Sequence, residues 1–236
     1  MKLKAKETGV GGKLFAPELL SNWLITKTMP IFPVSRKVIV LLLPLMLILP
    51  GCLTTGPTIA ESAFHGTEMD SNLWAPLFTL QDQNEDLWSL EDYRGKTVIM
   101  AFIYTRCFDT CPAISASLTS VRGKLSQDEL NNTEWVSITI DPWYDSPSVL
   151  QNWTSERGYN WTHLTGADTA VTPILDSYGV APISYEDNSS EGYGFAHAQP
   201  TYIIDETGHF QVVWSEEDIP IDLFVEDIRV LLGQME

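Results

Sequence analysis

Two cysteines stand four positions apart in Cys107-Phe108-Asp109-Thr110-Cys111-Pro112, directly after an apolar run, and a histidine, His197, follows ninety residues after the first of them. Two sulfurs and an imidazole make a soft donor set. Thiolates select Cu(I), zinc or iron–sulfur clusters, and two neighbouring thiols can also cycle between dithiol and disulfide. Structural zinc asks for a fourth protein ligand, and no third cysteine stands nearby; a tyrosine, a carboxylate or water could complete a Cu(II) sphere. In a helix, four residues rise about 6 Å and make just over one turn, so both sulfurs can face one side. That separation is near the long end of the about 4.4–6.8 Å that a disulfide allows between Cα atoms. Spacing alone therefore leaves metal binding and thiol exchange both open. By position alone, His197 also fits a hydrogen-bonded loop histidine.

The elements around these residues set the stage for either chemistry. Residues 97–104 are almost wholly apolar, as in a central strand buried on both faces. Ile114, Leu118, Val121 and Leu125 recur at helical spacing, which predicts a helix over 111–127. Its N-terminus carries partial positive charge and favours thiolates. Upstream, 77–80 and 87–90 flank a turn-like 82–86 and predict a hairpin. Downstream come a strand over 135–140 and a helix opened by Ser146 as N-cap with Pro147 in its first turn. A short strand over 161–164 and a helix over 171–178 follow. Residues 181–196 read as a polar, glycine-containing loop. A second hairpin spans 201–205 and 210–214, and a helix over 219–232 closes the chain. This order predicts an α/β sandwich with parallel central strands. Sites in such sheets gather at the carboxyl ends of strands, and Cys107 lies just past one.

The first fifty residues differ from the rest. Arg36 and Lys37 precede an apolar run over 38–50, too short for a membrane span of about 20 residues. A positive flank and a short apolar stretch describe an export signal. The run ends Leu49-Pro50-Gly51-Cys52, which resembles a lipoprotein signal whose cysteine is lipidated; the competing reading is an uncleaved N-terminal anchor. A start at Met29 gives the more compact signal. Residues 1–51 are thus read as leader, 52–72 as a polar tether and 73–236 as the folded domain. An exported protein held at the extracytoplasmic face of the cell membrane follows.

Beyond the leader, the chain has 7 basic and 29 acidic residues, a net charge of −22. Nucleic-acid binding is excluded, since no basic patch exists to release counterions from phosphates. The acidity favours solubility and suits a salty medium or a basic partner. Asn131, Asn152, Asn160 and Asn188 head Asn-x-Ser/Thr sequons, which can be glycosylated in an exported protein. With Cys52 assigned to lipid, two cysteines are too few for a disulfide scaffold.

The stretch from Ala75 to Leu232 resembles the Sco/SenC family of thioredoxin-like, copper-binding cytochrome oxidase assembly proteins. Ala75-Pro76-Leu77-Phe78-Thr79-Leu80 resembles its opening strand, and Phe102 through Pro112 its metal loop, including Asp109. Asp141-Pro142, Asp145-Ser146-Pro147 and Leu164-Thr165-Gly166 resemble its middle, and His197, five residues before Tyr202, its histidine ligand. The resemblance implies a thioredoxin fold that binds copper, as Cu(I), Cu(II) or both, through Cys107, Cys111 and His197. It implies a part in assembling the binuclear copper centre of cytochrome c oxidase, by donating copper to the copper-bearing subunit, by reducing that subunit's cysteines, or both. Other copper carriers or thiol reductants would supply it. Asp109 is expected to serve partner docking or tuning, or simply to cap the helix.

Gln199-Pro200-Thr201 resembles instead the cis-proline turn of thioredoxin-type reductases and keeps a second reading open, a lipid-anchored thiol–disulfide oxidoreductase. Pro200 could equally initiate a strand. His65, His163 and His209 lack ligand-spaced neighbours and read as structural or exposed. Asp141 and Asp145 read as loop caps, with an acidic rim as the alternative.

Overall fold

The computed structural model describes residues 62–180, 182–186, 192–215 and 219–234. The stretch 1–51 read as leader and Cys52 lie outside the described residues, and among those described no helix is long and apolar enough to cross a membrane.

β4 (Thr97–Ile103) is buried at every position. It pairs in parallel with β5 (Thr133–Thr139), in the register Thr97 to Thr133 through Ile103 to Thr139. β5 pairs in parallel with β6 (Thr162–Thr165). On the far side of β4 run β9 (Thr201–Ile204) and β10 (Phe210–Trp214), an antiparallel hairpin. At the other edge β2 (Thr79–Asp82) joins β6, and β3 (Leu87–Ser89) joins β2. With β1 (Thr67–Glu68) beside β10, the order is β1-β10-β9-β4-β5-β6-β2-β3.

Because side chains alternate across a strand, β4 feeds two cores. Val98, Met100 and Phe102 pack with α3 (Pro147–Arg157) and α4 (Asp168–Ser177). Ile99 and Ala101 pack with α1 (Thr110–Lys124) and α5 (Ile221–Leu231). Helices thus cover both faces of a sheet with a parallel centre, the expected sandwich. Ser146 caps α3, accepting from Val149 N at 3.4 Å. The helix expected over 111–127 stops at Lys124, and the capping box of Ser126 and Glu129 starts a separate short helix, α2 (Gln127–Asn131). Two donors at a helix start are satisfied reciprocally by such a box, which favours a new helix over continuation.

Two expectations need correction. The loop expected over 181–196 holds a hairpin, β7 (Ile183–Glu186) against β8 (Tyr193–Ala196). Every residue of β7 is exposed, and its alternation Ile183-Ser184-Tyr185-Glu186 spans only four positions, the shortest run that reads as a strand. Gly194 looks like a loop residue, yet it faces Tyr185 across the hairpin, and a Cβ there would come within 2.7 Å of that ring.

The stretch read as tether is also partly sheet. Thr67 and Glu68 pair with Val213 and Val212. Buried Asp227 of α5 accepts from the backbone N–H of His65 at 2.7 Å, of Gly66 at 3.0 Å, and from Trp214 Nε1 at 3.1 Å. A carboxylate with three donors compensates its own desolvation. Gly66 runs so close to β10 that a Cβ would meet Val212 at 2.4 Å.

Candidate metal and thiol site

The chain leaves β4 at Ile103 and turns before it enters α1. Asp145, fully buried, holds that turn: it accepts from Thr105 N at 3.0 Å, from the Thr105 hydroxyl, and from the Thr139 hydroxyl at 2.6 Å. The loop-cap expectation holds for Asp145. Asp141 is buried as well, so neither residue forms an exposed rim. Cys107 N donates to Tyr104 O at 3.2 Å. Asp109 is the N-cap of α1, accepting from Thr110 N at 2.6 Å. Cys111 lies in the first turn and donates its backbone N–H to Cys107 Sγ at 3.2 Å. Both cysteines are buried and unbridged.

This arrangement splits the two thiols. The Cys111 thiol hydrogen bond and the N–H bonds at the helix start hold Cys107 down at about 7 despite burial and the nearby Asp109 carboxylate. Cys111, whose sulfur gives its proton toward Cys107 and lies deeper, is pushed well up. One thiolate and one thiol therefore share the site near neutral pH. In its protonated form the Cys107 thiol can donate to Asp109 Oδ1 at 3.5 Å. The capping role of Asp109 is visible in the geometry; a docking role is not.

His197 follows the last residue of β8. Its Nδ1 lies 2.7 Å from Ala198 O. A carbonyl only accepts, so Nδ1 carries the proton and Nε2 keeps its lone pair. Burial holds the ring below the usual imidazole range, with the Ala198 bond opposing, so it is neutral near pH 7. Tyr104 neighbours both halves of the site. Its ring stands 6.2 Å from that of His197 and 5.3 Å from that of Phe195. Burial, then the charge of Cys107, pushes its hydroxyl far above the phenol range.

The structure thus joins Cys107 to Cys111 and leaves His197 as a neighbour. Among the described residues no group of three or more His, Cys, Asp and Glu side chains is close enough to hold a metal ion. The donor chemistry fits a soft ion, with one thiolate formed, a second thiol beside it and an imidazole nitrogen in the ligand tautomer. Geometry requires His197 to approach.

Arg106, Tyr144 and Tyr193 were not singled out from the sequence. The Arg106 guanidinium lies 3.9 Å from the Tyr144 ring centre and 3.8 Å from that of Tyr193, with Asp141 Oδ2 at 3.5 Å. Asp141 also accepts from the Tyr193 hydroxyl; burial and then Asp145 push its carboxyl up to about 6. A cavity of about 540 Å³ opens here, lined by these residues with Trp143 and Tyr185. One signal was legible: Arg106 is among only 7 basic residues beyond the leader, and it adjoins Cys107.

The remaining candidates are structural. His163 is fully buried among Trp153, Tyr159 and Trp161, and burial pushes it down to about 4. His209 lies 3.8 Å from the Trp74 ring and shares a hydrogen bond with Thr207. His65 pairs with Glu226 at 2.7 Å. The described residues contain no cis peptide bond, and Pro200 stands immediately before β9, in the strand-opening position. Asn131, Asn152 and Asn160 are exposed, while Asn188 lies outside the described residues.

Known proteins resemble this chain in sequence and fold. The SCO2-like protein RP587 of Rickettsia prowazekii is 30% identical over 153 residues, 62% of this chain and 73% of that protein. The structure of yeast Sco1 with copper bound covers 66% of this chain and 89% of its own, at 26% identity and a TM-score of 0.57. BsSco, described with a disulfide switch and as a member of the Sco family of cytochrome c oxidase assembly proteins, covers 68% and 94%, at 25% identity and a TM-score of 0.55. These likenesses carry the thioredoxin-like fold. The SCO1/SenC family pattern matches residues 67–233, and the chain belongs to that family.

Proposed function

We propose that this protein binds copper through Cys107, Cys111 and His197 and assists assembly of the binuclear copper centre of cytochrome c oxidase. The observation that carries the reading is the prepared donor set: a thiolate at Cys107 and an Nε2 lone pair at His197, both beside Tyr104. Copper-bound yeast Sco1 supports it by likeness. Copper here is cargo, held by two sulfurs and an imidazole and passed to the oxidase subunit that carries the centre. Cys107 offers its sulfur first, Cys111 loses its proton as the ion arrives, and His197 moves in to complete the set. Release reverses that order. The export-signal pattern over 29–51 and Cys52 support a lipid-anchored placement on the extracytoplasmic face, where such a subunit presents its copper ligands.

The split between the thiols favours a second reading on the same residues. Cys107 thiolate attacks a partner disulfide and forms a mixed disulfide, displacing one partner thiolate, which takes up a proton. Cys111 then loses its proton and attacks Cys107 Sγ, releasing the second partner thiol. The partner gains two electrons and the Cys107–Cys111 pair loses two.

Titration of the full chain in detergent with Cu(I), against a chromophoric chelator, tests the first reading. One copper bound per chain, lost with Cys107→Ser/Cys111→Ser and weakened with His197→Ala, supports it. Binding indifferent to His197 removes the copper-ligand role and leaves the dithiol reading.

A further inference from the structure

The β7–β8 hairpin shares no ladder with the main sheet. Its attachment to the domain therefore runs through side chains, and several of these meet at Arg106. A planar guanidinium has two faces. With two ring centres at 3.8 and 3.9 Å, Tyr193 must lie on one face and Tyr144 on the other. Asp141 closes the group, pairing with Arg106 and accepting from Tyr193. The side chains of Arg106 and Asp141 are 15% and 2% exposed, so water competes little for these contacts.

The position of each partner in the chain gives the contact its meaning. Arg106 immediately precedes Cys107. Tyr193 opens β8, four residues before His197, and Tyr144 sits in the loop between β5 and α3. The cluster joins the thiol turn to the histidine hairpin through a third, fixed loop. Phe195, on the same strand, adds a contact to Tyr104.

We propose that Arg106 is a positioning residue: acting through Tyr193, it sets where the His197-bearing hairpin stands relative to Cys107 and Cys111, and so how readily the imidazole joins the two sulfurs. The inference rests on the copper reading above. Arg106 itself stays off the metal. Arginine suits the task because it is flat, permanently charged and weakly hydrated, so both faces can stack; lysine is a compact point charge without faces. An arginine that served stability alone would affect copper binding equally whether or not His197 were present. A positioning arginine loses its influence once His197 is gone.

The test uses the full chain in detergent. Cu(I) affinity is measured by chelator competition for wild type, Arg106→Ala, Arg106→Lys, His197→Ala and the Arg106→Ala/His197→Ala pair. Hydrogen exchange is followed on the metal-free protein. Arg106→Ala is expected to weaken Cu(I) by about tenfold to a hundredfold, the range for losing a group that orients a metal ligand, and Arg106→Lys should recover only part. The double variant should bind no more weakly than His197→Ala alone, because residues acting as a unit are not additive. Exchange over 193–196 should rise about tenfold in Arg106→Ala while that over 97–103 holds.

Equal losses with and without His197 would overturn the proposal and assign Arg106 to the thiol turn alone. Unchanged copper affinity would overturn it too. If His197→Ala itself leaves affinity intact, the copper-ligand reading falls, and exchange in the metal-free protein decides: faster exchange in Arg106→Ala supports its hold on the hairpin, unchanged exchange sinks it. Should Arg106→Ala fail to fold, Tyr193→Leu removes one ring of the stack and is expected to give the same pattern.

Discussion

Cys107 and Cys111 hang from the most buried strand of the sheet and the first turn of a packed helix, whereas His197 follows a small hairpin whose first strand is exposed along its whole length. One half of the site is rigid by construction, with backbone bonds, the Asp109 cap and the Asp145 brace fixing the turn. The other half rests on aromatic side chains. Elements with few buried contacts open at low free energy, while core strands open only with the whole fold. The proposed role as a copper carrier would use that asymmetry. Ligands locked in place would hold an ion tightly and release it slowly; a fixed dithiol with a movable third ligand can both hold the ion and let it go.

Substitutions sharpen the contrast, beginning with the largest effect. Cys111→Ser should abolish retention of Cu(I) against a competing chelator, because it removes a proposed ligand from the rigid half. Leu118→Ala, in the α1 face that carries the thiol turn, should lower stability by about 2–5 kcal/mol in chemical denaturation, the usual cost of emptying a buried leucine site. Tyr185→Ala, on the half-exposed face of the hairpin, should change stability by about 0.5 kcal/mol or less. Equal costs at the two sites would break the comparison.

The thiols give a pH test. Cys107 ionises at about 7, below its ordinary value. Its stabilising contribution is full above the unfolded thiol pKa and is lost as pH falls through about 7. Alkylation by iodoacetamide should therefore rise with an inflection near pH 7 in the native protein and move upward on denaturation, with Cys111 unreactive until unfolding. The smallest effect is expected from Asp109→Asn. Its negative charge opposes the Cys107 thiolate, and asparagine still caps a helix, so the inflection should slide slightly downward with stability nearly unchanged.

Much of this was legible in the order of residues. The all-apolar run at 97–104 announced the central strand, and Ser146-Pro147 announced the start of α3. Both signals are local, tied to burial on two faces and to a cap. The cysteines and Asp109 were found because their roles follow from sequence neighbours. What escaped was set by contacts between distant segments. β7 alternates over only four exposed residues, and β1 is two residues long, made a strand only by its pairing with Val212 and Val213. Tyr144 and Tyr193 look like ordinary aromatics until the fold gathers them around Arg106, and Tyr104 until it stands beside His197. The distance between His197 and the sulfurs was likewise unreadable, because nothing local states how far a hairpin leans.

The Asp227 lock has a consequence for reach. It grips the backbone at His65 and Gly66, so any leash to a membrane ends there rather than near residue 72. With the proposed lipid at Cys52, the 13 residues from Cys52 to His65 set an upper limit of about 45 Å on that reach. Within that radius, a target in the same bilayer is met at an effective concentration set by the leash rather than by bulk abundance. Alanine at position 227 would let out slack, widening the patrol and diluting each encounter.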